Sequence, residues 1–282
     1  MEIRSLENID FNTLFRGFER AFSDYKIHFE KQEVRSMLAR RGYNPQLSFA
    51  AFHDGEIVAF TLNGIGSFGG VATAYDTGTG TVKEYRGRGL AGAIFNHSLP
   101  FLRDAGIGQY VLEVLQDNES AIAVYRRMGF EVSREFDCYR QLISEIRLPV
   151  QTHPEIMVSR EGLDFVRDAQ EWCRFTPSWQ NSLQSLERGV GELTILGATI
   201  GSLPVGCCVM DPNTGDVTQL AVKQEYRRRG IATRLLQEAL RLMKTDFVKV
   251  LNVDADDETL PPFLKSKNIH VATKQFEMLR FL

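Results

Sequence analysis

The chain repeats itself, and that limits what it can fold into. Glu84-Tyr85-Arg86-Gly87-Arg88-Gly89-Leu90-Ala91 returns as Glu225-Tyr226-Arg227-Arg228-Arg229-Gly230-Ile231-Ala232, an offset of 141 residues. Further on, Gly129-Phe130 is matched by Asn268-Ile269 at an offset of 139. Order and spacing agree to within two residues, so the fold must be one that half of the chain can build twice. At 282 residues the chain suits two domains, each long enough to bury a core of its own. The expected division is 1–146 and 150–282. Ser144 to Pro154, with two prolines and mixed polarity, reads as the linker.

Within the first copy, Phe11 to Phe22 and Lys31 to Arg41 carry helical spacing. Leu47 to Phe52 and Glu56 to Leu62 flank His53-Asp54-Gly55 and predict a hairpin. Val71 to Val82 and Tyr110 to Leu115 are two further strands, each followed by a helix. The second copy repeats the pattern, with Leu193 to Ala198 and Val205 to Met210 as a hairpin around Gly201. The class that follows is α+β: two tandem domains, each a mixed, mostly antiparallel sheet flanked by helices.

Hydrophobic residues make up 43% of the chain and charged residues 24%, the balance of a globular protein. A formal net charge of -3 gives no reason to expect nucleic acid or an anionic membrane as a partner. The N-terminal MEIRSLENIDF lacks the apolar core of a signal peptide, and no apolar run reaches bilayer length. A cytoplasmic location is expected. Cys138, Cys173, Cys207 and Cys208 lack metal-ligand spacing; buried thiols in a reducing compartment are expected, with the adjacent pair on opposite faces of a strand. Asp254-Ala255-Asp256-Asp257-Glu258 lacks the glycine and spacing of a calcium loop, so no metal is expected.

Two glycine-rich stretches compete for attention. Gly64-Ile65-Gly66-Ser67-Phe68-Gly69 satisfies G-x-G-x-x-G, but another strand follows it where a dinucleotide site needs a helix. It reads as a connection between strands. The second runs from Gly78 to Phe95. Simple alternation places Asp76, Gly78 and Gly80 on one face of its strand and Thr77, Thr79 and Thr81 on the other. Two glycines on one face suggest close approach to the backbone, or a bulge. From about Arg88 the spacing turns helical through Leu90, Ala91, Ile94 and Phe95, with Pro100 expected to kink the helix. The amides of a first helical turn lack internal partners and favour an anion, and Arg86 and Arg88 add positive charge.

Arg86-Gly87-Arg88-Gly89-Leu90-Ala91 resembles the Q/R-x-x-G-x-G/A signature of the GNAT acetyltransferases. A second block, Leu112 to Phe130, is similar to that family's strand, N-x-x-A helix and Y-x-x-x-G-F ending. The resemblance implies that the turn holds the pyrophosphate of acetyl-CoA, the expected cosubstrate, through Arg86, Gly87, Arg88, Gly89, Leu90 and Ala91. It also implies a pair of strands that splay apart, with backbone near Thr79, Thr81 and Val82 bonding the pantetheine arm and small residues keeping the slot open. Asn118 either caps the next helix or contacts the cosubstrate, and Gly129 fits a helix end with positive φ.

The implied reaction is direct attack of an amine on the thioester, which calls for a base and an acid. By motif position Tyr125 is the acid, although Ala121, Val124, Tyr125 and Met128 also form a plain buried stripe. Asp76 and Glu113 are the candidates for the base, and either could instead be a structural carboxylate. In the second copy Asn118, Tyr125 and Gly129 are replaced by Asp257, Leu264 and Asn268, and Pro261-Pro262 enters where the helix should start. Catalysis is therefore expected in the first copy, with a primary amine on a small molecule or peptide as acceptor and Phe11 to Tyr43 as its wall. The rival expectation is a non-catalytic acyl-CoA-binding or regulatory protein. Nothing in the sequence sets an oligomeric state.

Overall fold

The computed structural model describes residues 1–24, 29–149 and 153–282; residues 25–28 of the expected acceptor wall and 150–152 of the expected linker lie outside them. The first copy opens with β1 (Glu2–Ser5), α1 (Phe11–Ala21) and α2 (Lys31–Arg40), with both helices where the apolar spacing puts them. Asp10 caps α1 through its carboxylate, which accepts from the amides of Asn12 and Thr13. The buried face of α1, Leu14, Phe18 and Ala21, meets Phe60 and Leu62 of the sheet. Burying each larger side chain contributes roughly 1.5–3 kcal/mol.

The predicted hairpin forms from β2 (Phe49–His53) and β3 (Glu56–Phe68), turning at Asp54 and Gly55 with φ of 51° and 81°. That mirror-image turn suits the twist of the strands. β3 runs longer than its apolar pattern suggested. Gly64 to Phe68 lies within the strand, and only Gly69-Gly70 turns the chain into β4 (Val71–Thr81). The G-x-G-x-x-G stretch is thus mainly strand rather than connection. α3 (Leu90–Asp104) continues unbroken through Pro100, and β5 (Gln109–Leu115) and α4 (Glu119–Arg127) follow. β1 to β4 pair antiparallel in order, and β5 joins β4 in parallel.

The first copy ends with β6 (Glu131–Leu142), and the second holds β7 (Ile156–Arg160), α5 (Leu163–Ala169), α6 (Leu183–Gly189), β8 (Thr194–Ile200), β9 (Leu203–Asp211), β10 (Asp216–Val222), α7 (Ile231–Leu242), β11 (Phe247–Asp254), α8 (Leu260–Ser266) and β12 (Val271–Phe281). From Phe136 onward β6 pairs with β11, and the strands run β6-β11-β10-β9-β8-β7, with β10 and β11 parallel and the rest antiparallel. Pro261 and Pro262 fall in the first turn of α8, where a missing amide costs little. Cys207 and Cys208 do point to opposite faces, each into its own core cluster, and all four cysteines are free thiols.

Compact packing divides the chain differently from the sequence repeat. The first unit comprises 1–114, 118–133 and 277–282; the second comprises 115–117 and 134–276.

Candidate active site

In the first unit β4 and β5 share register pairs at Thr73 with Gln109, Ala74 with Tyr110 and Tyr75 with Val111, where the ladder stops. The strands part beyond that point. On the other edge of β4 the register slips at Thr77, because Asn63 faces Asp76 while Leu62 faces Gly78. Such a bulge inserts one residue and re-aims the side chains around it. Simple alternation along 76–81 therefore fails. Thr79 Oγ1 donates to Asp76 Oδ2 at 2.8 Å, which two residues on opposite faces could not do. The glycine pair also needs correcting. A Cβ at Gly80 would stand 2.6 Å from Phe60 and 3.0 Å from Ala21, so core packing, not a ligand slot, requires glycine there. Only Gly78 has room, with Phe18 at 3.9 Å as its nearest neighbour.

The parted strands bring the expected acid and one expected base together. Tyr125, on α4, donates from its hydroxyl to Asp76 Oδ2 at 3.3 Å. Asp76 also accepts from Gly78 N–H at 2.9 Å. Its carboxyl is pushed up to about 6, chiefly by desolvation, against the pull of the Thr79, Gly78 and Tyr125 hydrogen bonds and the Arg41 charge. Glu113 is held elsewhere: Tyr75, fully buried on β4, donates to its Oε2 at 2.9 Å. Tyr110 donates to Asn63 Oδ1, and burial together with nearby Asp76 drives its hydroxyl well above the ordinary phenol range.

At the turn before α3, Gly87 and Gly89 both have φ of 74°, and a Cβ on either would meet nothing within 4 Å. Successive amides in such a turn converge on open space. Gly89 is the N-cap, and no side chain caps α3, so the amides of Leu90 and Ala91 lack both an internal partner and a side-chain cap. This cradle fits a pyrophosphate. The two arginines are engaged by the protein itself. Arg86 donates to Thr81 O at 3.0 Å and Ala21 O at 2.9 Å and pairs with Asp24 at 2.6 Å, so its side chain braces the turn. Arg88 donates to Glu84 O and lies over Tyr85, 4.9 Å from the ring centre. Thr81 O is thus occupied, Thr79 is bonded to Asp76, and Val82 N–H donates to Val58 O. Asn118 Oδ1 accepts from Ala121 N–H and Ser120 Oγ, the cap role.

The second unit builds the same frame. β10 bulges at Thr218, and its ladder with β11 holds one pair, Asp216 with Lys249. Arg227 repeats the brace at the same 3.0 Å, to Val222 O, and Arg229 lies over Tyr226. Arg228 keeps a φ of 64° without glycine's freedom. A cavity of ≈ 450 Å³ opens between the parted strands and the turn, lined by residues that include Leu220, Val222, Arg228, Gly230, Leu251 and Phe263. Its chemistry has changed. Leu264 is fully buried in the core at the place of Tyr125. Asn181 spans the gap, accepting from Gln219 Nε2 through its carbonyl at 2.7 Å and donating from Nδ2 to Leu251 O at 2.9 Å. Asn252 donates to Ser178 Oγ at 3.1 Å beside it.

The sequence did not single out Tyr75, Arg41 or Asn181. Arg41 donates to Thr77 O at the bulge from 36 residues away, and Asn181 acts from the end of a single 3-10 turn, Trp179–Asn181. Neither position carries a local signal.

The profile of the acetyltransferase (GNAT) family matches residues 11–130 and 164–265. N-alpha-acetyltransferase MAK3 of Arabidopsis thaliana is 33% identical over 86 residues, covering 30% of this chain and 45% of that protein. The chain spans less than half the length of the curated relatives it matches. Among solved structures, a tandem GNAT protein from the clavulanic acid biosynthesis pathway aligns with a TM-score of 0.74 at 14% identity, covering 99% of this chain and 98% of that one. A GCN5-related N-acetyltransferase from Sphaerobacter thermophilus aligns at 0.70 and 16% identity, covering 99% and 95%. With both repeats matched and the turn, bulge and parted strands present in each unit, the chain belongs to the GNAT family of acyltransferase enzymes.

Proposed function

We propose that the first unit transfers an acetyl group from acetyl-CoA to a primary amine of a small molecule or peptide, with Asp76 as base and Tyr125 as acid. The observation that carries this reading is the 3.3 Å contact between Tyr125 Oη and Asp76 Oδ2 where β4 and β5 part. Acetyl-CoA supplies the thioester carbonyl. The backbone around Gly87 to Ala91 binds the anionic end, and β4 beyond the bulge faces the arm. Of the three protons on the acceptor ammonium, one stays on the amide, one ends on the sulfur and one leaves to water. Asp76 removes a proton from the nitrogen, Tyr125 donates to the leaving sulfur, and the 3.3 Å contact lets the pair pass a proton back between them.

Asp76 suits the role of base because desolvation brings its carboxyl to about 6, near the pH at which a base is both free and effective. Its position beside Tyr125 favours it over Glu113, which Tyr75 engages. The rival reading, acyl-CoA binding without transfer, suits the second unit, whose gap Asn181 bridges and whose acid position holds Leu264. A cytoplasmic setting is supported by the four free thiols.

Tyr125→Phe keeps the ring and removes the proton. It should lower kcat by ~10²–10⁴-fold, the usual contribution of a positioned acid, while acetyl-CoA affinity measured by calorimetry holds. Intact kcat under conditions where chemistry limits the rate would leave Tyr125 a packing residue.

A further inference from the structure

The last six residues of the chain, 277–282, pack with the first unit, although in sequence they close the second repeat. Leu282 N–H donates to Gly108 O at 3.0 Å beside the start of β5. Ser133 Oγ donates to the carbonyl and carboxylate of buried Glu277 at 3.1 and 2.8 Å. Between these anchors Arg280 lies over Phe95, 5.2 Å from the ring centre, and donates through Nη1 to Met128 O.

That carbonyl sits at a sensitive place on α4. Phe130 N–H bonds Tyr125 O at 3.1 Å and Gly129 N–H bonds Arg126 O at 3.0 Å, with Gly129 at φ 84°. This is a Schellman ending in which Tyr125 is the carbonyl that closes the helix. The apolar contact that accompanies such an ending is here Tyr125 against Phe130, with ring centres 5.8 Å apart. The carbonyl of Met128, just before the glycine, accepts from no N–H inside the helix. Arg280 supplies one and sets a cation at the negative end of the helix. Phe95, beneath the guanidinium, contacts Phe130 in turn at 5.3 Å. Arg280 therefore grips both the helix end and the aromatic cluster against which Tyr125 rests.

The second unit ends the matching helix with the same pair of bonds, Ile269 N–H to Leu264 O and Asn268 N–H to Lys265 O at 3.0 Å each, but satisfies the next carbonyl by other means. Lys267 stands in the place of Met128, and its carbonyl accepts from the backbone N–H of Arg147 at 2.9 Å. Asn268 stands in the place of Gly129, with φ of 64°, and donates Nδ2 to Glu145 O at 2.9 Å. Both helices thus close alike, and the difference is the partner of the last carbonyl: a backbone amide for Lys267, a side chain from the far end of the chain for Met128.

We propose that Arg280 is a positioning residue for Tyr125, so that the catalytic unit is complete only with the last strand of the second repeat. The proposal rests on the reading of Tyr125 as the acid. Its test uses the full-length protein with Arg280→Met, which keeps a long apolar stem, and Arg280→Lys, which keeps a cationic donor. Arg280→Met should lower kcat about tenfold, since a small misplacement of a catalytic group is enough for that, with the KM for acetyl-CoA little changed. Hydrogen exchange at the Met128 and Phe130 amides should quicken by about tenfold or more while the rest of the unit keeps its protection. Arg280→Lys should recover most of both. In a Tyr125→Phe background Arg280→Met should cost almost nothing further in kcat, because the group it positions is gone. An equal loss in both backgrounds, or unchanged kcat and unchanged exchange, overturns the proposal. If Tyr125→Phe alone is fully active, the acid assignment fails by itself, and the exchange at Phe130 still decides whether Arg280 holds the helix end. Should Arg280→Met not fold, Arg280→Gln, too short to reach the carbonyl, carries the same readings.

Discussion

The two units share a frame and fill it differently. Each has a bulge at the same repeat position, Thr77 and Thr218, each parts its parallel strands there, and each braces its turn with an arginine donating to the strand's last carbonyl at 3.0 Å. In the first unit the gap is flanked by groups that can move protons, Asp76 and Tyr125. In the second the corresponding residues are Val217 and Leu264, both fully buried, and amides of Asn181 and Gln219 tie the strands together. The parted strands and the braced turn are common to both units; the side chains within the gap set whether protons can be moved there. Arg228 makes the point by its cost. A non-glycine residue in the left-handed region is strained by about 1 kcal/mol or more, yet the second unit keeps that conformation.

The largest expected effect breaks the comparison at its acid. Tyr125→Phe should lower kcat by ~10²–10⁴-fold, whereas Leu264→Tyr should restore nothing. Leu264 is buried in the core, so a phenol there overpacks it, at about 1–3 kcal/mol of stability. Activity arising from Leu264→Tyr would show that the second slot lacks only a proton donor.

The next effect concerns pH. With Asp76 as base, kcat should climb as pH rises to about 6 and level above it, and Asp76→Asn should remove that limb along with most of the rate. Stability carries the opposite sign. The folded pKa is raised from 3.8 to about 6, so the group's contribution to stability is fully present below pH 3.8 and lost as pH rises through about 6. Asp76→Asn should therefore melt no lower than the parent at pH 8, with that advantage gone at pH 4. A melting temperature that falls at pH 8 would contradict the desolvated carboxylate.

Glu113→Gln is a smaller perturbation. If Tyr75 holds Glu113 as a structural group, kcat should stay within about threefold. A loss as deep as that of Asp76→Asn would transfer the base to Glu113. The smallest effect lies in the turns. Arg228→Gly should raise stability by up to about 1 kcal/mol by relieving its left-handed backbone, and Gly87→Arg should lower it by a similar amount. Thermal melts that move the other way would mean the turns are held by something besides backbone conformation.

What could be read from the sequence was local. The Asp54-Gly55 turn, the Asn118 cap and the positive φ of Gly129 depend on residues a few positions apart, and each stands where it was expected. The repeat itself announced the tandem fold. The bulge at Thr77 was hidden because register belongs to the pairing with β3, not to β4 alone, and with it went the true faces of Asp76 and Thr79. Gly80 looked like part of a ligand slot until Phe60 was seen against it. Arg86 looked available for a phosphate, but Asp24 and Ala21 claim it from 62 and 65 residues away. Arg280 meets Met128 across 152 residues, a distance over which no periodicity speaks.

The central claim is that transfer occurs in the first unit, and single-turnover acetyl transfer by two matched variants tests it most directly. Gly89→Asp and Gly230→Asp each put a side chain and a negative charge at the turn before α3 or α7, where the glycine has a positive φ, 74° in the first unit and 83° in the second. Each should weaken acetyl-CoA binding at its own turn by at least about tenfold, roughly 1.4 kcal/mol. With subsaturating acetyl-CoA, Gly89→Asp should slow acetyl transfer by that factor or more, and Gly230→Asp should leave the transfer rate near that of the parent. Transfer abolished by Gly230→Asp and spared by Gly89→Asp would place the chemistry in the second unit and contradict the account.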